Sequence, residues 1–300
     1  MFAPFGIIPA VVTPFHRDES LNEDALRQHI RFLLQSRVDG LFLAGTGGEF
    51  YALTKDERKR IFEVTVDEVN GKKHVYAGTG AESTGEVLEL TAMARDVGVD
   101  AVSIITPYFV SPTRRGLFEH YSYIANKVDL PVVLYNNPAR AGGVNLEPSL
   151  VKDLADECTN IVGIKDSSAD LRITTEYIRL CPRISVLAGA DALIFATLMC
   201  GGKGAIAVVA NVLPDLAAEI YEFIRKGEIQ RALEAQRKLV PLRLAVNEVG
   251  PFPLAIKEAL NMMGIPVGPC RKPILPAAPE KREALRKLLL TYESLRPLLK

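Results

Sequence analysis

Short apolar runs rich in β-branched residues recur at Ile7–Thr13, Gly40–Ala44, His74–Ala77, Ala101–Thr106, Val132–Tyr135, Ile161–Ile164, Ser185–Ala188 and Ala205–Val209. Between them lie stretches whose apolar positions repeat at helical spacing, among them Glu23–Gln35, Asp56–Val69, Glu86–Val97 and Leu117–Lys127. The first pattern predicts strands and the second amphipathic helices. Thr54 with Glu57, and Ser83 with Glu86, have capping-box spacing and mark two helix starts. Strands separated by helices must run parallel, because each crossover returns the chain to the same end of the sheet. Eight of them at a repeat of about thirty residues predict an α/β fold, a closed (β/α)8 barrel. An open doubly wound sheet would carry a glycine-rich dinucleotide loop after its first strand, whereas here that strand ends in Thr13-Pro14-Phe15.

Past Val209 the alternation stops. Leu216–Arg225, Ile229–Val246, Leu254–Met263 and Glu280–Leu298 read as helices, with Pro241 expected to kink the second. Gly264–Pro279, rich in proline and glycine, reads as a loop. The expected division is a catalytic barrel over residues 1–226 and a C-terminal helical extension over 227–300.

Composition narrows the function classes. Lys plus Arg and Asp plus Glu both number 36, for a formal net charge of +0, which disfavours nucleic acid or an anionic membrane as partner. Four separated cysteines without a CxxC fit a reduced, cytoplasmic protein. The four histidines are scattered and form no metal-ligand spacing, so no metal is expected. No signal peptide and no membrane span are expected either.

In a parallel barrel, catalytic groups come from the C-terminal strand ends. The sixth strand ends in Gly163-Ile164-Lys165-Asp166-Ser167-Ser168. A lysine there is either an amine that desolvation turns into a nucleophile, or a cation that snorkels or pairs with Asp166. Tyr135, in the fifth-strand ending Tyr135-Asn136-Asn137-Pro138, is a proton carrier or a core aromatic. Gly45-Thr46-Gly47-Gly48-Glu49 after the second strand could present backbone N–H groups to a small anion, or could be a tight turn. Gly78-Thr79-Gly80-Ala81 reads as turn geometry.

Taken together, GTGGE, YNNPAR and GIKDSS on three strands in order resemble the dihydrodipicolinate synthase / N-acetylneuraminate lyase family, from Ile7 to about Val212 and more loosely beyond. The resemblance implies a (β/α)8 enzyme in which Lys165 forms a Schiff base with pyruvate. Tyr135 and Thr46 match the family's proton-shuttling tyrosine and its hydrogen-bonded threonine. The amides of Thr46 and Gly47 match those holding the pyruvate carboxylate, and Gly189 and Ile206 match positions lending backbone groups to the bound keto acid. Arg140 matches the arginine that holds the carboxylate of aspartate semialdehyde in the synthases. No cofactor is implied, since the iminium itself is the electron sink. The partners implied are pyruvate, a small aldehyde and further copies of the chain in a homotetramer, with Tyr108 and Phe109 near a dimer contact.

Departures from the synthase pattern keep a second reading open. Gly47 stands where a second threonine is usual, and Phe109 where a tyrosine reaches a neighbouring site. The expected activity is condensation of pyruvate with aspartate semialdehyde to 4-hydroxy-tetrahydrodipicolinate. The alternative is aldol cleavage of a 2-keto-3-deoxy sugar acid such as 2-keto-3-deoxygluconate, with N-acetylneuraminate lyase and a non-catalytic keto-acid-binding barrel behind it. Phe50, Lys55, Arg58 and Glu82 also depart from the feedback pocket of lysine-regulated synthases, although Tyr108 and Glu86 remain, which implies insensitivity to free lysine. A phosphate-handling barrel is excluded, because Gly201-Gly202-Lys203-Gly204 precedes the eighth strand and lies on the opposite face.

Overall fold

The computed structural model describes residues 2–299. The chain runs β1 (Gly6–Pro9), α1 (Glu23–Leu34), β2 (Gly40–Leu43), α2 (Lys55–Val69), β3 (His74–Gly78), α3 (Thr84–Val97), β4 (Ala101–Ile105) and α4 (Arg114–Lys127). It continues through β5 (Val132–Asn136), α5 (Pro148–Glu157), β6 (Ile161–Asp166), α6 (Leu171–Leu180), β7 (Ser185–Ala188), α7 (Ile194–Met199), β8 (Gly204–Ala207) and α8 (Pro214–Arg225). Three further helices follow: α9 (Ile229–Glu248), α10 (Leu254–Met262) and α11 (Pro279–Leu289).

All strand pairs are parallel, in the order β1-β8-β7-β6-β5-β4-β3-β2. A parallel bridge from Ala10 to Phe42 joins the two ends, with the Val11 N–H donating to the Phe42 carbonyl at 2.9 Å. This is the (β/α)8 barrel expected from the alternation.

Strand periodicity decides what faces inward. Ile105, Tyr135, Lys165 and Leu187 share one register across β4 to β7. A Cβ on Gly40 would meet Cε2 of Tyr76 at 2.9 Å, so the glycine makes room for the ring. The outer strand faces pack against buried helix residues such as Leu26, Ile30 and Leu33 of α1, each worth about 1.5–3 kcal/mol of burial.

The local start signals behave as expected at α2, where Thr54 and Glu57 complete a reciprocal capping box. At α3 only half of it forms: Ser83 accepts from the Glu86 N–H. Four strands stop short of their apolar runs, β2 and β4 by a single residue. β1 ends at Pro9 and β8 at Ala207, because the Asn211 side chain captures the backbone beyond them, accepting from Val12 N–H and donating to the Ala10 and Val208 carbonyls. The last helix is also shorter than Glu280–Leu298. It stops at Leu289, where Tyr292 turns to donate its hydroxyl to the Lys238 carbonyl on α9, and only a short turn, Arg296–Leu298, follows. Pro241 lies inside α9, and 264–278 carry no helix.

His29 on α1 is fully buried, and neither ring nitrogen has a partner among the described residues. Burial pushes its pKa down to about 4, and that of buried His120 on α4 likewise to about 4. Both rings stay neutral in the fold, while an unfolded histidine titrates near ~6.5. Their contribution to stability is therefore complete above pH ~6.5 and is lost as pH falls towards 4, a window in which only the unfolded chain takes up protons. The variant His29→Leu should flatten the fall in Tm between pH 7 and 5 by a few degrees. Parallel Tm–pH curves for variant and wild type would contradict this.

Candidate functional site

Lys165 lies near the C-terminal end of β6 and points into the barrel, 4 % exposed. Its Nζ sits 4.1 Å from the ring centroid of Tyr135 and 4.9 Å from that of Phe42. Among the described residues no carboxylate lies within 4.0 Å of it. The neighbouring Asp166, one residue on, faces the other way, as strand alternation demands. Its carboxylate accepts from Asn136 Nδ2, the Ser168 N–H and hydroxyl, and the Thr174 hydroxyl. Pairing with Asp166 is therefore absent, and an aromatic wall surrounds the amine instead.

Tyr135 pairs with Lys165 in the β5–β6 register and is equally buried. Its hydroxyl accepts from Asn137 Nδ2 at 2.8 Å and lies 3.5 Å from Thr46 Oγ1. Burial alone would raise the phenol pKa. The positive charge of Lys165, with help from Thr46, Ser167 and Asn137, outweighs burial and holds the group below the ordinary tyrosine value.

Thr46 and Gly47 begin a short turn, Thr46–Gly48, directly after β2. The Gly48 and Glu49 N–H groups bond back to Gly45 and Thr46, whereas those of Thr46 and Gly47 have no acceptor among the described residues. The turn ends at Glu49, a non-glycine residue with φ 55 and ψ 37 in the left-handed region, where strain of about 1–3 kcal/mol persists only if the surroundings impose it. They do so here. The fully buried Glu49 carboxylate accepts from Lys257 Nζ of α10 at 2.9 Å and from the Arg271 N–H at 2.9 Å.

The other expected positions surround the same mouth. Gly189, just after β7, donates its N–H to the Asp166 carbonyl at 2.7 Å, and a Cβ there would meet Ser167 Oγ at 2.1 Å, so no larger residue fits. Ile206 is buried on β8, two residues beyond Gly204, which pairs with Leu187 and through it aligns with Lys165. Arg140 is exposed in a turn after β5, its guanidinium 5.8 Å from the Phe252 ring centroid. A small pocket lies beside Thr46 and Tyr135, walled by Phe42, Phe50, Ser103 and Ile105. The Ser103 hydroxyl has no partner among the described residues.

Of the departing residues, Phe50 and Arg58 are built into this side of the barrel. Buried Arg58 donates to the Phe50 and Gly80 carbonyls at 2.9 and 3.1 Å and lies over the Phe50 ring, which meets Tyr108 edge-on. Phe50 and Arg58 thus fill the region beside Tyr108. Phe109, by contrast, is 88 % exposed.

Residues 3–291 match the model of the dihydrodipicolinate synthetase family. The chain belongs to that family. It is accordingly a class I lyase, working through a Schiff base. It is 42 % identical over 287 residues to a 4-hydroxy-tetrahydrodipicolinate synthase of Methanopyrus kandleri, covering 95 % of each chain. A synthase of the same name from Methanocaldococcus jannaschii is 41 % identical over 95 % of this chain and 97 % of its own. Among solved structures, dihydrodipicolinate synthase from Aquifex aeolicus superposes with a TM-score of 0.94 at 34 % identity, covering 99 % of both chains. A prophage protein of the same family from Escherichia coli K12, solved in complex with pyruvate, superposes with a TM-score of 0.92 at 34 % identity, covering 96 % and 98 %.

Within this family member, three groups escaped sequence reasoning: Asn137, Glu49 and Lys257. Asn137 stood in a quoted motif, but nothing there indicates that its amide turns back to the tyrosine two residues earlier. Glu49 ended the GTGGE motif, and its partner lies 208 residues away. Removing the Asn137 donor deprives the Tyr135 oxygen of its shortest hydrogen bond. The variant Asn137→Ala should lose about tenfold in kcat, the equivalent of one ~1.4 kcal/mol hydrogen bond, and its basic pH limb should move upward. An unchanged rate and pH profile would remove Asn137 from the site.

Proposed function

We propose that the chain is a 4-hydroxy-tetrahydrodipicolinate synthase, condensing pyruvate with aspartate semialdehyde through an imine on Lys165. The observation that carries the chemistry is the Lys165 amine, buried against Tyr135 with no carboxylate within 4.0 Å among the described residues. The substrate assignment is supported by relatives of that name at about 40 % identity and by Arg140 at the mouth.

In the proposed sequence the neutral amine of Lys165 attacks the keto carbon of pyruvate, and a proton moves from nitrogen to the new alkoxide. Tyr135 then protonates the carbinol hydroxyl, which leaves as water, and the nitrogen lone pair forms the iminium. The iminium withdraws electrons from the adjacent methyl group, which releases a proton and becomes an enamine. The enamine carbon adds to the aldehyde of the second substrate, and the alkoxide formed takes up a proton. The amino group of that substrate then attacks the regenerated iminium carbon, closing the ring and releasing Lys165 as the free amine. Tyr135 carries these protons, its hydroxyl held towards ionisation by Lys165 and in reach of Thr46 Oγ1. The Thr46 and Gly47 amides receive the pyruvate carboxylate, the backbone at Gly189 and Ile206 borders the bound keto acid, and the Arg140 guanidinium receives the carboxylate of the aldehyde.

The same reading includes a cytoplasmic homotetramer with exposed Phe109 near a subunit contact, and no response to free lysine, whose pocket Phe50 and Arg58 fill. The barrel over residues 1–226 supplies the reacting groups and the extension over 227–300 braces them.

The competing activity is cleavage of 2-keto-3-deoxygluconate. Steady-state kinetics with both substrates decide between them. Condensation with aspartate semialdehyde should exceed sugar-acid cleavage in kcat/KM by at least about a hundredfold, a factor that a single well-used carboxylate contact can supply, and millimolar lysine should leave the rate unchanged. Faster cleavage of the sugar acid would overturn the substrate assignment.

A further inference from the structure

The GTGGE turn is held by a ring of contacts that begins and ends on α10. Lys257 Nζ donates to the Thr13 carbonyl at 2.8 Å and to Glu49 Oε1 at 2.9 Å. Thr13 Oγ1 in turn donates to the Gly48 carbonyl at 2.6 Å, and Gly48 is bonded to Glu49. The ring thus closes through Lys257, Thr13, Gly48 and Glu49. The third face of the ammonium lies 4.4 Å from the Phe15 ring centroid, so its donors are all directed.

We propose that Lys257 is a positioning residue for the reaction: by fixing Glu49 it sets the direction of the Thr46 and Gly47 N–H groups that receive the keto-acid carboxylate. The inference rests on the reading of those two amides as the carboxylate site. Both residues of the pair are buried, with side-chain exposures of 1 % and 0 %. Two apolar residues of similar volume commonly hold a core as well as or better than a buried ion pair. Directional bonding is what an apolar pair could not supply. The loop needs it, since Glu49 sits in the left-handed region and its N–H closes the turn onto the Thr46 carbonyl at 3.2 Å. A change of backbone angles at Glu49 therefore moves Thr46 directly. Both bonds to the Glu49 carboxylate come from the C-terminal segment, from Lys257 and the Arg271 N–H. The extension thereby reaches the keto-acid site without touching the substrate.

The test compares wild type, Lys257→Met, Glu49→Gln and the double variant for Tm, pyruvate KM, kcat and borohydride-trapped imine at saturating pyruvate. Each single variant should raise the pyruvate KM at least tenfold, while the imine still forms at Lys165 when pyruvate saturates. The double variant, which leaves no unpaired buried charge, should regain Tm but keep the raised KM. A pyruvate KM within twofold of wild type in a folded variant, or a KM that recovers together with Tm in the double variant, would overturn the proposal. Should Lys257→Met not fold, the double variant alone carries the comparison. Absence of any trapped imine in wild type would instead sink the reading of the site itself.

Discussion

An amine held inside an apolar barrel, with aromatic faces beside it and, among the described residues, no carboxylate within 4.0 Å, is the constraint on which the rest of this site depends. A buried cation without a partner is costly, so such a lysine persists only where the surroundings supply something for it to do. Here Tyr135 lies against it, and the two groups act on each other electrostatically: Lys165 draws the phenol towards ionisation in spite of burial. Register makes the pair. Parallel pairing sets Tyr135 beside Lys165, and alternation turns Asp166 out of the barrel, where four hydrogen bonds hold its carboxylate away from the amine.

What surrounds this pair is arranged in tiers. Asn137 steadies the phenol oxygen from the same strand end, and Thr46 approaches it from the turn after β2. That turn is braced by Glu49 against Lys257 and Arg271, which belong to the C-terminal extension. The helices after the barrel are thus more than a cap on its flank. They hold the backbone on which the proposed carboxylate contacts depend.

Much of this was legible in the sequence. The eight apolar runs, the capped helix at Thr54 and the chemistry-bearing strand ends at Lys165 and Tyr135 are local signals, and the fold follows from them. The choice between a nucleophilic Lys165 and one paired with Asp166 was not legible from position, because it depends on where the Asp166 partners Asn136 and Thr174 come to lie. Asn211 stayed hidden for the same reason: its side chain ends both β1 and β8 by bonding across the barrel seam. The overlong reading of the last helix failed because Tyr292 gains a partner on α9, a contact no periodicity reports. The Glu49–Lys257 pair is the extreme case, joining two ends of the chain through a single buried bond.

The central claim is that Lys165 is the nucleophile, and covalent trapping tests it most directly. The protein is incubated with pyruvate, reduced with borohydride, digested and mapped by mass spectrometry. The account predicts one reduced pyruvyl adduct, on Lys165, that is absent without pyruvate. An unmodified chain, or an adduct on another lysine with Lys165 untouched, would contradict it.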